Sequence, residues 1–174
     1  MGTTSAADIR ISLHMSDLRI DKRRVTTTLT LTAGDRLIGS LFLAEQAEHH
    51  TGPERLLDVL NGPPGFLPFE AVSGPGVRQT LLVNRAYIVV VETDSAFDDL
   101  ADDHAYQVAV KKSVLLEFAN GDQLRGVLRV ERPVGRDRLS DAVRDDAGFR
   151  YLEGAGGVLA VNLAHVVRIT PLAE

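Results

Sequence analysis

Four blocks of this chain occur twice, in the same order, and that duplication restricts the fold more than any other feature. Thr32-Ala33-Gly34-Asp35-Arg36-Leu37-Ile38-Gly39-Ser40-Leu41 returns as Ala119-Asn120-Gly121-Asp122-Gln123-Leu124-Arg125-Gly126-Val127-Leu128. Arg55-Leu56-Leu57-Asp58 returns as Arg138-Leu139-Ser140-Asp141, and Phe66-Leu67-Pro68-Phe69-Glu70 as Phe149-Arg150-Tyr151-Leu152-Glu153. Val83-Asn84-Arg85-Ala86 returns as Val161-Asn162-Leu163-Ala164. The offsets run 87, 83, 83 and 78, so two loop deletions bring the copies into line. Loops vary where the elements they join do not. Two units of about 70 residues each are marginal alone, and packing them together buries surface that neither buries by itself.

A hydrophobic content of 44% and a charged content of 25% are globular values and exclude a wholly disordered chain. No apolar run reaches the roughly 20 residues of a membrane span. The start, Met1-Gly2-Thr3-Thr4-Ser5-Ala6-Ala7-Asp8, lacks a signal peptide's basic start and apolar core, so the expected location is cytoplasmic. With no cysteine, disulfides, thiol catalysis and cysteine-bound metal all drop out. The net charge of −5 is concentrated in residues 92–107, which alone carry −6 through Glu92, Asp94, Asp98, Asp99, Asp102 and Asp103. The remainder is nearly neutral, so neither copy has the composition of a basic nucleic-acid module. The organisation expected is an N-terminal arm or edge strand over 1–24, a first repeat over 25–91, an acidic connector over 92–107 and a second repeat over 108–174.

Within each copy the apolar period is two. Val25, Thr27, Leu29 and Leu31 alternate with threonines, and Val114, Leu116 and Phe118 stand at equivalent places. Ala33-Gly34-Asp35 and Asn120-Gly121-Asp122 read as tight turns into return strands over Arg36–Ala44 and Gln123–Glu131. Gly39 and Gly126 fall at the same point of those strands, where a glycine signals a bend or a close backbone approach. Leu56, Val59 and Leu60, and likewise Leu139, Ala142 and Val143, have helical spacing, which predicts a short amphipathic helix in each copy. Further strands are expected over Phe66–Val72, Val77–Asn84 and Tyr87–Val91, and over Phe149–Glu153, Val158–Asn162 and Val166–Ile169. The fold class is therefore mainly β: two tandem small, bent, five-stranded barrels, each with an inserted helix. The connector reads equally well as a flexible tether or a capping helix, given Phe97, Leu100 and Ala101. Lys22-Arg23-Arg24 reads as a solvated strand start.

The run Val114–Gly126 resembles the first signature of Sm-like proteins: an alternating strand, an Asn-Gly turn, then a Leu and a Gly on a bent second strand. Leu159–Pro171 resembles the closing strand pair of the bacterial Sm-like RNA chaperones. The inserted helix and the strand after it have no counterpart in that pattern. The resemblance implies an SH3-like small barrel, and RNA binding through loops after the second and fourth strands, in rings of subunits. The second of those positions corresponds to Asn84-Arg85 in one copy and Asn162-Leu163 in the other. Leu163 supplies neither phosphate contact nor base stacking, so each Asn is read as shaping a tight turn.

No catalytic constellation, cofactor site or metal site is legible, and the chain is expected not to be an enzyme. His49-His50 lies in a loop with Glu45, Glu48 and Glu54, but adjacent residues rarely point at one ion, so the loop reads as solvated. Asp98-Asp99 and Asp102-Asp103 lack the spacing of a calcium loop. Gly154-Ala155-Gly156-Gly157 precedes a strand rather than a helix and reads as a hairpin turn, not a phosphate loop. Arg23-Arg24 lacks the companion motif of cyclic-dinucleotide barrels of the PilZ type. The leading expectation is a non-enzymatic assembly module, an adaptor or scaffold subunit of a bacterial complex. It would bind protein partners, copies of itself included, through exposed strand edges around Asn84 and Asn162. The alternative is Sm-like RNA binding by the second copy through an arginine stripe of Arg125 and Arg129, with Arg132, Arg136 and Arg138 nearby. The partner-binding candidates are thus Asn84, Arg85, Asn162, Arg125 and Arg129.

Overall fold

A computed structural model of the chain describes residues 22–93, 100, 103–130, 139–143 and 148–173. The expected arm before Lys22, Asp94, Asp98, Asp99 and Asp102 of the connector, and Arg132, Arg136 and Arg138 lie outside the described residues.

The threonine- and valine-rich stretches form strands, as their β-branched side chains favour. The first copy supplies β1 (Lys22–Leu31), β2 (Arg36–Ala44), β3 (Phe66–Val72), β4 (Arg78–Asn84) and β5 (Ile88–Glu92). The second supplies β6 (Val110–Phe118), β7 (Gln123–Val130), β8 (Phe149–Gly154), β9 (Gly157–Asn162) and β10 (Val166–Pro171). Helix α1 (Leu56–Leu60) falls between β2 and β3, α2 (His104–Val108) precedes β6, and α3 (Leu139–Val143) falls between β7 and β8. A 3-10 turn follows β4 at Arg85–Tyr87 and β9 at Leu163–His165.

All the described strands belong to one antiparallel sheet, in the order β10-β6-β7-β8-β9-β5-β1-β2-β3-β4. Each copy contributes the same local order, its fifth strand beside its first, and the two runs meet where β9 pairs with β5. The two copies thus share one sheet. Among the described residues no ladder closes either half into a hydrogen-bonded cylinder.

The duplication holds down to single hydrogen bonds. Leu31 N–H donates to Asp35 O at 2.9 Å, and Phe118 N–H to Asp122 O at 2.9 Å. Thr32 N–H donates to Tyr87 O at 3.0 Å, and Ala119 N–H to His165 O at 3.1 Å. The side-chain oxygens of Asn84 and Asn162 accept from Ala86 N–H at 3.0 Å and Ala164 N–H at 3.1 Å, so both shape the turn after their strand. β5 and β10 each carry a bulge, skipping Val89 and Val167 in the pairings with β1 and β6.

Gly39 and Gly126 occupy matching close approaches. A Cβ on Gly39 would sit 2.1 Å from Glu70 O, and one on Gly126 2.6 Å from Glu153 O. The bent return strand touches the third strand of its own copy there, which is what a glycine within a strand permits.

Two hydrophobic cores flank the junction. The first contains Val25, Leu29, Leu41, Leu56, Phe69 and Ile88, the second Val114, Leu116, Phe118, Leu128 and Leu152. They do not divide cleanly between the copies. Phe149, Tyr151, Val158 and Ala160 of β8 and β9 belong to the first core, and Val89 and Val90 of β5 to the second. Among the described residues no helix is long and apolar enough to cross a membrane.

Candidate functional site: the outer edges of the sheet

The internal junction shows how one copy binds the other. Its ladder pairs Val90 with Val161, Val91 with Ala160 and Glu92 with Leu159. Because successive residues alternate faces, Val91 and Ala160 enter the first core while Val90 and Val161 enter the second. Polar contacts fix the register. The buried Asn162 amide donates to Ile88 O at 2.9 Å, and His165 Nε2 lies 2.7 Å from Ala86 O. At the end of α1, Asn61 treats Phe149 as a strand partner: its Oδ1 accepts from Phe149 N–H at 2.7 Å and its Nδ2 donates to Phe149 O at 3.1 Å. Arg55, at the start of α1, reaches Asp103 at 2.5 Å.

Helix α2 closes the other side of the face that the second copy presents. Asp103 caps it, accepting from Tyr106 N–H at 3.1 Å. Tyr106 meets the Tyr151 ring edge-on at 6.2 Å, donates to Glu153 at 2.9 Å and lies under the Arg129 guanidinium. Burial, reinforced by the Glu153 carboxylate, raises the Tyr106 hydroxyl well above its usual pKa. Burial pushes Glu153 upward, but hydrogen bonds from Arg129 and Tyr106 leave it below the usual carboxylate value.

Among the described residues, the ends of the sheet, β4 and β10, have strand partners on one side only. They are the repeat equivalents of β9 and β5, the two strands that meet at the junction. Their side chains differ from those equivalents chiefly in exposure. Phe149 is 3% exposed and its counterpart Phe66 62%; Ala160 is 0% exposed and its counterpart Leu82 69%. Val89 is 6% exposed and its counterpart Val167 68%. Tyr87, which stands where His165 does, is exposed as well. Phe66, Leu82 and Val167 thus fall on positions whose counterparts, Phe149, Ala160 and Val89, are buried.

The residues singled out from sequence are dispersed. Asn84 ends the free edge strand β4. Asn162 does not mark an exposed edge as expected: β9 is paired on both sides, because the second copy's fourth strand is the one consumed at the junction. Arg85 turns back on α1, donating through Nε to Val59 O at 2.9 Å and through Nη1 to Pro63 O; burial lowers its pKa. Arg129 is not part of an outward stripe. Its side chain is 11% exposed and donates to Glu153 at 2.6 Å. Arg125 is exposed. Asn61 stands before Gly62-Pro63-Pro64, a local helix-stop signal that carries no information about a long-range partner. Its partner Phe149 could have been found only by asking why one copy of a duplicated aromatic needs more cover than the other.

An open groove of about 820 Å³ runs beside α1, and its lining includes Phe42, Phe66, Pro68, His49, His50 and Glu54. Three of its titratable groups, His50, Glu54 and Asp58, are engaged in the local fold. His50 Nε2 meets Asp58 at 2.8 Å, Asp58 accepts from Arg55 N–H at 2.7 Å, and Glu54 accepts from Ala44 N–H at 2.7 Å. Among the described residues no three His, Asp or Glu side chains converge on a point that could hold a metal ion. No family model, no curated protein and no solved structure matches this chain.

Proposed function

We propose that this protein is a non-enzymatic assembly module, built from two fused, bent, barrel-like repeats, that engages protein partners by strand addition at β4 and β10. One observation carries the reading: the chain already contains a strand-addition complex between its own halves, at β5–β9, and keeps the unmatched counterpart of each half at its ends. An edge strand offers a row of unpaired backbone donors and acceptors, and natural proteins cover or blunt such edges unless they use them. Here exposed Phe66, Leu82 and Val167 accompany the edges. An exposed apolar set next to free backbone groups is a binding surface more than a protected rim. Two of the arginine candidates, Arg85 and Arg129, spend donors within the fold, which leaves less for phosphate contact and supports a protein partner over RNA.

The test is affinity purification of the tagged full chain from its native cells after mild cross-linking, beside Leu82→Lys and Val167→Lys. Both positions are exposed, so melting temperatures should be unchanged. The reading predicts a stoichiometric partner, the chain itself or another protein, that the wild type retains and the matching edge variant loses. A wild type that retains nothing, or edge variants that keep every partner, would overturn it.

A further inference from the structure

Resting on that reading, we infer that the partner is a second copy of this chain, joined head to tail: β10 of one molecule adds to β4 of the next.

The repeat correspondence specifies the contact. The junction pairs Val90–Val161, Val91–Ala160 and Glu92–Leu159. Replacing each residue by its counterpart in the other copy gives Arg168–Val83, Ile169–Leu82 and Thr170–Leu81. Both strands are prepared for that register. β4 faces β3 through Phe66–Asn84, Pro68–Leu82 and Glu70–Thr80, matching Phe149–Asn162, Tyr151–Ala160 and Glu153–Val158 between β8 and β9. β10 leaves β6 with the bulge that β5 makes on β1. In the assembled pair, the Asn84 amide takes the role of Asn162, which donates to a carbonyl across the junction. Val167 enters the core of the neighbour's first repeat, as Val89 enters that of the second. Phe66, Pro68 and Leu82 pass under the neighbour's second repeat, as Phe149, Tyr151 and Ala160 pass under the first.

The two half-sites are unlike each other, so the contact is heterologous. It leaves one free half at each end and propagates until a rotation closes it or until it runs as an open chain. One position departs from the template. Arg168 replaces Val90, which the internal junction buries in the second core, and is paired with Glu117 at 2.8 Å, so the template carries a charged pair into the outer contact. The intermolecular junction is therefore weaker than the internal one, and it also lacks the covalent connector that raises the local concentration of the joined halves. Association is reversible and depends on concentration.

Sedimentation velocity on the purified full chain over a range of concentrations tests this, using Leu82→Lys as a blocked β4 half and Val167→Lys as a blocked β10 half. The wild type should grow beyond a monomer as concentration rises. Each variant alone should remain monomeric, and their mixture should stop at one-to-one dimers, because only one matched pair of halves survives. Three results would overturn the inference. One is variants that assemble like the wild type, and another is a mixture that stays monomeric. The third is a wild type that is monomeric throughout; if its β4 amides are then already slow to exchange, the face is covered by residues 1–21 of the same chain. A monomeric wild type leaves strand addition to another protein standing or falling on the affinity purification, so the two failures are distinguishable.

Discussion

At the scale of single residues, the two copies act as controls for each other. Thr27 and Val114 are counterparts, both buried, and among the described residues the Thr27 hydroxyl has no hydrogen-bond partner. An unsatisfied buried hydroxyl costs about 1–3 kcal/mol. Thr27→Val, which copies the second repeat, should raise stability by about 1 kcal/mol in urea unfolding. Phe66 and Phe149 give the opposite contrast. Phe149→Ala should cost about 3–5 kcal/mol, because it empties a packed site, while Phe66→Ala should stay within about 0.5 kcal/mol in dilute solution. Asn61→Ala strands both polar groups of Phe149 and should cost about 1–3 kcal/mol. His50 reports on α1: its hydrogen bond to Asp58 raises its pKa above 6.5. The protonated form favours the fold, so its contribution is complete below pH 6.5 and fades as pH rises through the folded value. An NMR titration should show that raised value in the wild type and its return toward 6.5 in Asp58→Asn.

At the scale of elements, strands were readable and partners were not. The expected limits Arg36–Ala44 and Phe66–Val72 coincide with β2 and β3, because alternation and turn glycines are local properties. Gly39 and Gly126 were recognisable as bends for the same reason. Either one changed to Ala forces the return strand off the third strand, and should cost about 3 kcal/mol in denaturant unfolding, as overpacking does. Which edge stays free is a long-range property. Asn84 and Asn162 look alike in sequence, and only the pairing of β9 with β5 separates an open edge from a buried one. Arg129 misled for a similar reason: its outward alternation was correct, but α2 folds over it and supplies Tyr106 as a stacking surface. Glu153, held below its ordinary pKa by Arg129 and Tyr106, stabilises the fold above the carboxylate range and loses that effect as pH falls through its folded value. Glu153→Gln should therefore flatten the acid limb of the stability profile.

At the scale of the molecule, a duplicated unit has formed one junction between its copies and, in the proposed assembly, carries the parts for another. Fusing two copies through a connector fixes the internal pairing, and sequence divergence then acts on the outer pair, where Arg168 replaces Val90 and Leu82 replaces the smaller Ala160. The duplication was legible from four short blocks. Its consequence, that each end matches the other end of a second molecule, needed the strand order.

The central claim is that β4 and β10 are complementary, and engineered cysteines test it most directly. The chain has no cysteine of its own, so any disulfide must come from the introduced pair. Leu82→Cys on one molecule and Ile169→Cys on another are mixed under mild oxidation. A disulfide-linked heterodimer should dominate over either homodimer, and Val167→Lys on the second molecule should suppress it. Cross-linking limited to homodimers, or equal yields from cysteines placed on strands away from the edges, would contradict it.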